Sequence, residues 1–182
     1  ITLLPAEKLG YEFIGWFTDA EFTSAVQEKI VQGSHGNITL YANYRINQYT
    51  IHFESNGGSA VTAITQNYGT EVVEPAAPSK NGYRFYGWYK NSALTEKYTF
   101  TTMPADDITL YAKWSVVTYR INYHLDGGIN NVSNPADYTI ESEEIIFAAP
   151  AKLGYTFLGW YTDSEYETPI DSIVQGSYGE VF

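Results

Sequence analysis

The residues of this chain that could do chemistry are few, and their spacing argues against each chemistry in turn. A metal would find three imidazoles, His35, His52 and His124. His52 and His124 fall on equivalent stretches but two residues out of register, and neither has a partner at ligand spacing, so solvent-facing histidines are expected. The acid pairs Asp106-Asp107 and Glu143-Glu144 invite a glycosidase reading. That reaction needs two carboxylates facing each other across a cleft, whereas adjacent residues of a strand point to opposite faces. Asp106-Asp107 reads better as a turn before Ile108. Asp126-Gly-Gly offers calcium one acid, too few oxygens for a site, and Asn56 takes the equivalent place. No serine or threonine stands in a nucleophile context, and no glycine-rich loop precedes a helix, so phosphate binding is not expected. Asn37-Ile-Thr39 and Asn131-Val-Ser133 fit the glycosylation pattern with nothing further behind them. A lysine–asparagine or lysine–aspartate crosslink would need a buried lysine beside an acid, and these lysines fall mostly in loops. No catalytic residue, metal or cofactor is expected.

The aromatic residues are the other candidates. Trp16, Trp88 and Trp160 could stack on sugars. All three close the phrase Gly-Tyr-x-Phe-x-Gly-Trp, at Gly10–Trp16, Gly82–Trp88 and Gly154–Trp160. They occupy the segment that varies least between copies, each followed by Phe17, Tyr89 or Tyr161, which favours a place in the core. Burying one tryptophan removes about 150–250 Å² of surface, roughly 4–6 kcal/mol at about 25 cal/mol per Å². Phe22 and Tyr166 lie instead in a loop that differs between copies, and are the first candidates for ligand contact.

These residues must be positioned by a small unit copied along the chain. Ile38–Tyr44 returns as Ile108–Trp114, and Tyr49–Gly58 returns as Tyr119–Gly128. A period near 70 exceeds the roughly 20–50 residues of solenoid repeats and suits a small domain. The expected organisation is a partial unit over 1–47 lacking an opening hairpin, a complete unit over 48–115, and a partial unit over 116–182 lacking a closing strand. The first residues correspond to the middle of a unit, so the chain reads as a fragment of a longer array. The connectors 45–48 and 115–118 contain no glycine or proline, so adjacent units are expected to hold a narrow range of angles.

Within a unit, Tyr49–Glu54 alternates as a strand, Asn56-Gly57-Gly58 turns, and Val61–Asn67 returns. A proline-bearing stretch follows, with room for at most one helical turn. Tyr83–Tyr89 reads as a third strand with aromatics on both faces, hence central or covered on both sides, its Gly87 admitting a close neighbour. A polar loop and the closing strand Ile108–Trp114 complete the unit. The fold class is therefore mainly β: tandem small domains of about four strands with little helix, arranged as beads on a rod.

The 182 residues include no cysteine, seventeen tyrosines and 16% aromatics, and carry a net charge of −11. The three units carry −2, −1 and −8 in order. Such a balance excludes nucleic acid and heparin-like partners. The acidic third unit is either a solvated surface or a face for a basic partner or divalent cations. The absence of cysteine excludes a disulfide-stapled domain and leaves the compartment open. No run approaches 18 apolar residues, so no membrane span is expected in this fragment.

The succession Tyr-x-Ile-x-Phe…Gly-Gly, Gly-Tyr-x-Phe-x-Gly-Trp-Tyr and Met103-Pro-Ala-Asp-Asp-Ile-Thr-Leu-Tyr-Ala-Lys-Trp114 resembles the Listeria–Bacteroides repeat, or internalin B-repeat. Residues 49–114 form the complete copy and flanking partial copies cover nearly the whole chain. The resemblance implies a β-grasp-like fold, residence in large bacterial surface or secreted proteins, and no catalytic residues. The function expected from it is an extracellular spacer or stalk, monomeric and non-enzymatic. The alternatives are an adhesive module recognising host protein or glycan through its variable loops, and an accessory module of a secreted glycan-active enzyme.

Overall fold

The computed structural model describes residues 1–180. Among them are ten strands and no helix: β1 (Tyr11–Phe17), β2 (Tyr41–Ile46), β3 (Gln48–Glu54), β4 (Ile64–Asn67), β5 (Tyr83–Tyr89), β6 (Ile108–Val116), β7 (Tyr119–Arg120), β8 (Asp137–Tyr138), β9 (Ile145–Ile146) and β10 (Ser172–Ile173). The fold is mainly β and built from small sheets. The proline-bearing stretches that left room for a helical turn are irregular, because Pro75 and Pro78 interrupt any backbone ladder there.

The complete repeat forms one four-stranded sheet in the order β4-β3-β6-β5. Its opening strand β3 pairs antiparallel with β4, Ile51 opposite Ile64, and parallel with the closing strand β6, Ile51 opposite Ile108 and Phe53 opposite Leu110. This second-first-fourth-third order, with first and last strands parallel, is a β-grasp arrangement without its helix. Ile51, Met103 and Leu110 are fully buried and Trp88 is 1% exposed. Phe53 lies 4.8 Å from Trp88 and 6.3 Å from Phe100, ring centre to ring centre. Asp107 accepts a 2.7 Å hydrogen bond from the Thr50 N–H, so the acid pair before β6 serves the edge of β3.

Two sequence expectations change and a third narrows. The returning strand starts at Ile64 rather than Val61, because the turn at Asn56 and Gly57, both at positive φ, opens into a loop before pairing resumes. Of the two placements open to the strand Tyr83–Tyr89, central or covered on both sides, the structure narrows the choice to the second, since the strand lies at the end of the sheet. Its outer side is closed by the following loop, where the Tyr98 N–H donates to the Trp88 carbonyl at 2.8 Å and the Lys90 N–H to the Glu96 carbonyl at 2.9 Å. Strict alternation also fails in this strand. In β1, its counterpart, Phe13 opposes Tyr44 and Gly15 opposes Asn43, leaving Ile14 as a bulge. The bulge puts Phe13 and Trp16 on one face, 5.5 Å apart, although they are three residues apart in sequence. Gly15, the counterpart of Gly87 in the first repeat, sits at φ +157°, and a Cβ there would come 2.6 Å from Val26 Cγ1, a close approach of the kind expected at Gly87.

The chain divides into two compact bodies. Ile1–Asn56, Ala60–Ala76 and Trp88–Ala112 form one; Gly57–Ser59, Ala77–Gly87 and the residues from Lys113 onward form the other. Each body contains one junction between sequence repeats. In the second, a small core of Ile121, Tyr138 and Ile173 is packed by Tyr119, Tyr123, Ile145 and Phe147. Asn134, 9% exposed, ties this region together by donating to Asn130 and the Ala148 carbonyl while accepting from the Ala148 N–H.

Candidate functional site

No group of three or more histidine, cysteine or acidic side chains that could hold a metal occurs among the described residues. His35, His52 and His124 are all exposed. The Asp126 carboxylate meets Lys152 Nζ at 2.9 Å, a contact that lowers the pKa of the acid and raises that of the lysine. What recurs in the molecule is a set of joints and clasps.

The three tryptophans differ in setting. Trp88 is enclosed, whereas Trp16 and Trp160 are half-buried. The indole N–H of Trp16 donates to the Leu4 carbonyl at 2.9 Å, and that of Trp160 to the Ala148 carbonyl at 3.2 Å. The difference follows from the sheets. Trp88 is covered by Phe53 of the opening strand, and residues 1–47 contain no counterpart of that strand. Trp160 has Tyr123 at 5.3 Å and Phe157 at 5.2 Å, but no closing strand among the described residues.

A lysine-led turn precedes each tryptophan strand, a periodic signal present in the sequence and missed there. Lys8, Lys80 and Lys152 each begin a four-residue turn in which the tyrosine N–H of the next strand returns to the lysine carbonyl at 3.0, 3.1 and 3.1 Å. Gly10, Gly82 and Gly154 take its third position at φ +77°, +73° and +79°, as a type II turn requires. Each lysine ammonium lies over the ring of its own tyrosine, at 3.9 Å for Tyr11, 4.3 Å for Tyr83 and 4.3 Å for Tyr155.

In the first two copies this turn receives the next repeat. The connector residues Asn47 and Val117 donate their N–H groups to the carbonyls of Gly10 and Gly82, at 3.0 and 2.9 Å. The ring of Tyr68 then lies directly against the Gly10 Cα, where any Cβ would collide with it, 6.2 Å from the Tyr11 ring. At the second junction a Cβ on Gly82 would come 2.6 Å from the Ile140 Cβ. There Tyr83 Oη also donates to Glu141 at 2.7 Å, a bond that raises the pKa of the phenol. Gly154 has nothing within 4 Å of its Cβ position, and Tyr155 is 71% exposed.

Phe22 and Tyr166, the ligand-contact candidates, sit at one equivalent position of the loop after the tryptophan strand, with Leu94 between them in the series. All three have positive φ, 59°, 55° and 60°, an uncommon state for large side chains. A polar residue three positions earlier holds the loop. Asp19 accepts from the Thr23 and Ser24 N–H groups, Asn91 from the Thr95 N–H, and Asp163 from the Glu167 and Thr168 N–H groups, all between 2.6 and 3.1 Å. Phe22 packs edge-on against Phe17 at 5.4 Å, and Tyr166 against Tyr161 at 5.4 Å. Tyr166 remains 71% exposed and Phe22 39%.

Hydrogen bonds from Ser24 and Thr23 hold the Asp19 carboxyl well below the ordinary carboxylate range, and the Glu167 and Thr168 backbone lowers that of Asp163. A carboxyl depressed in the folded state stabilises above its unfolded value, near 3.9, and that contribution is lost as pH falls through the folded value. The Asp19→Asn, Asp163→Asn double variant should keep both loops, since Asn91 already performs this role. Its thermal midpoint should fall less than the parent's between pH 6 and pH 2; identical acid limbs would mean that these carboxylates do not contribute.

A β-grasp-like unit repeated in tandem, with a turn of recurring geometry that seats the following copy, defines a repeat module. The model of the Listeria-Bacteroides repeat domain matches residues 1–43, 49–113 and 119–178. The chain belongs to the Listeria-Bacteroides repeat family. It is 41% identical over 175 residues to a putative membrane protein of Evansella cellulosilytica, covering 92% of this chain and 26% of the relative. A putative Gly-rich membrane protein of the same organism is 39% identical over 172 residues, 91% of this chain and 20% of the relative. Internalin H of Listeria monocytogenes is 39% identical over 115 residues, 62% of this chain and 20% of its own length. The chain thus spans a fifth to about a quarter of these relatives. No helix among the described residues is long and apolar enough to cross a membrane.

Proposed function

We propose that this chain is a non-catalytic spacer in a bacterial surface or secreted protein, three sequence units over 1–47, 48–115 and 116–182 that set the distance between a functional head and its anchor. The observation that supports this reading is the junction itself. The same turn glycine, the same connector N–H and a packed hairpin residue recur at both repeat boundaries. Two hydrogen-bonded, sterically filled joints fix the angle from one repeat to the next, which a spacer needs and a floppy linker lacks. The membrane-protein and internalin relatives fit an extracellular setting.

Spin labels on the exposed Val26 and Val73 straddle the first junction within one compact body. Pulsed dipolar spectroscopy should give a single narrow distance distribution, broadened by Gly10→Val. A broad distribution in the parent would remove the basis for the spacer reading. The exposure of Tyr166 keeps an adhesive role as a second reading, in which its loop contacts a host protein or glycan. On cells carrying the parent protein, Phe22→Ala and Tyr166→Ala should leave attachment unchanged for a spacer and abolish it for an adhesin.

A further inference from the structure

The complete repeat contains two Asn-Gly pairs, Asn56-Gly57 and Asn81-Gly82, and the flanking repeats contain none. Such a pair can react with itself. Glycine carries no side chain to shield its main-chain nitrogen, and its freedom of rotation lets that nitrogen approach the amide carbon of the asparagine before it. The nitrogen attacks Cγ and a C–N bond closes a five-membered imide. The Cγ–Nδ2 bond breaks, and ammonia leaves with the proton that the glycine nitrogen gives up. Water then opens the imide at one of its two carbonyls. One opening leaves aspartate; the other leaves isoaspartate, whose main chain runs through the side-chain carbon and is one atom longer. The sequence of steps consumes only water and needs no oxidant or metal.

The structure sets the two pairs apart. Asn56 Nδ2, the nitrogen that would leave, donates to the carbonyl of Ala112 on β6 at 2.7 Å, and Ala112 is 1% exposed. The Asn56 N–H is held as well, donating to the Glu54 carboxylate at 3.1 Å from a backbone at φ +49°. The Asn56 amide must therefore break from the closing strand before Cγ can meet Gly57. Asn81 occupies the second position of the lysine-led turn and is exposed. That turn is closed by the Tyr83 N–H on the Lys80 carbonyl at 3.1 Å, a bond in which neither the Asn81 amide nor the Gly82 nitrogen takes part. Leu9 and Leu153 hold the same position in the other repeats, so the turn does not need an asparagine.

We propose that Asn81-Gly82 is a self-modification site that ages the joint between the second and third repeats, while the fold protects Asn56-Gly57. The consequence for the joint follows from position. The Gly82 carbonyl accepts the Val117 N–H at 2.9 Å, and the Ile140 Cβ stands 2.6 Å from where a Gly82 Cβ would be. An added main-chain atom beside Gly82 displaces both contacts, so isoaspartate at 81 opens the joint. Aspartate at 81 adds no main-chain atom and leaves it closed. The proposal concerns the covalent chemistry of the chain and holds whether or not the array is a spacer.

The test is to incubate the folded 182-residue chain in mildly alkaline buffer and then cut it after glutamate, which places Asn56 in peptide 55–71 and Asn81 in peptide 75–96. Fragment masses locate each exchange of –NH2 for –OH, and an isoaspartate-specific methyltransferase reports the longer product. Conversion at Asn81 is expected to run at least about tenfold faster than at Asn56, the effect of one retained hydrogen bond, and the two rates should converge when the chain is denatured. The Val117 amide should exchange with deuterium faster in the isoaspartate fraction than in the parent. Asn81→Leu, which installs the residue of the other repeats, should abolish the reaction at 81 and keep the Val117 amide slow. Equal or faster conversion of Asn56 in the folded chain would overturn the proposal. So would an Asn81 that reacts only after denaturation, or an isoaspartate fraction whose Val117 amide exchanges as slowly as the parent's.

Discussion

Trp88→Ala is expected to destabilise the chain by about 3–5 kcal/mol, the usual cost of emptying a buried indole site. The indole is 1% exposed and is boxed by Phe53 at 4.8 Å, while Ile51 and Leu110 from the paired central strands are also fully buried. Trp16→Ala and Trp160→Ala remove rings that are only half-buried and should cost clearly less. Denaturant melts followed by far-ultraviolet circular dichroism would measure the series. Equal losses at all three positions, or a Trp88→Ala protein melting like the parent, would contradict the enclosed setting of Trp88.

Gly82→Val should be nearly as damaging, for reasons that can be separated. A side chain at φ +73° costs about 1–2 kcal/mol, and forcing atoms to within 2.6 Å of Ile140 adds an overpacking cost of about 1–3 kcal/mol. Gly154→Val meets the same backbone cost at φ +79° with open space around it. The expected losses are therefore about 2–5 kcal/mol at Gly82 and about 1–2 kcal/mol at Gly154. The difference isolates the repeat junction from the turn. If the two variants melt alike, Ile140 does not press on Gly82 in solution.

Most of the strands were legible because their signals are local. The alternation of Tyr49–Glu54, the Asn-Gly turn and the β-rich run at Ile108 each specify backbone conformation without reference to distant residues. The bulge at Ile14 was not legible: a single extra residue reverses the facing of everything after it, and alternation alone has no means to detect it. Edge placement of Tyr83–Tyr89 was hidden because the returning loop covers its outer side, so burial on both faces imitates a central strand. The junction was half legible. Lys8, Lys80 and Lys152 recur with their glycines at the tryptophan spacing, but the matching residues Tyr68 and Ile140 are chemically unlike and lie in the following copy. The sequence shows Phe22 and Tyr166 as aromatics in a loop that differs between copies, and their shared left-handed backbone emerges only in three dimensions.

The parallel pairing of β3 with β6 bears on how the complete repeat would respond to tension. Its chain enters through the first of these strands and leaves through the last, and the two run side by side in the same direction. Pulling on the two ends therefore slides one strand along the other, so that the bonds between Ile51–Glu54 and Ile108–Tyr111 resist together instead of parting one at a time. A repeat wired in this way is expected to yield at a high force and then abruptly when drawn from its two ends.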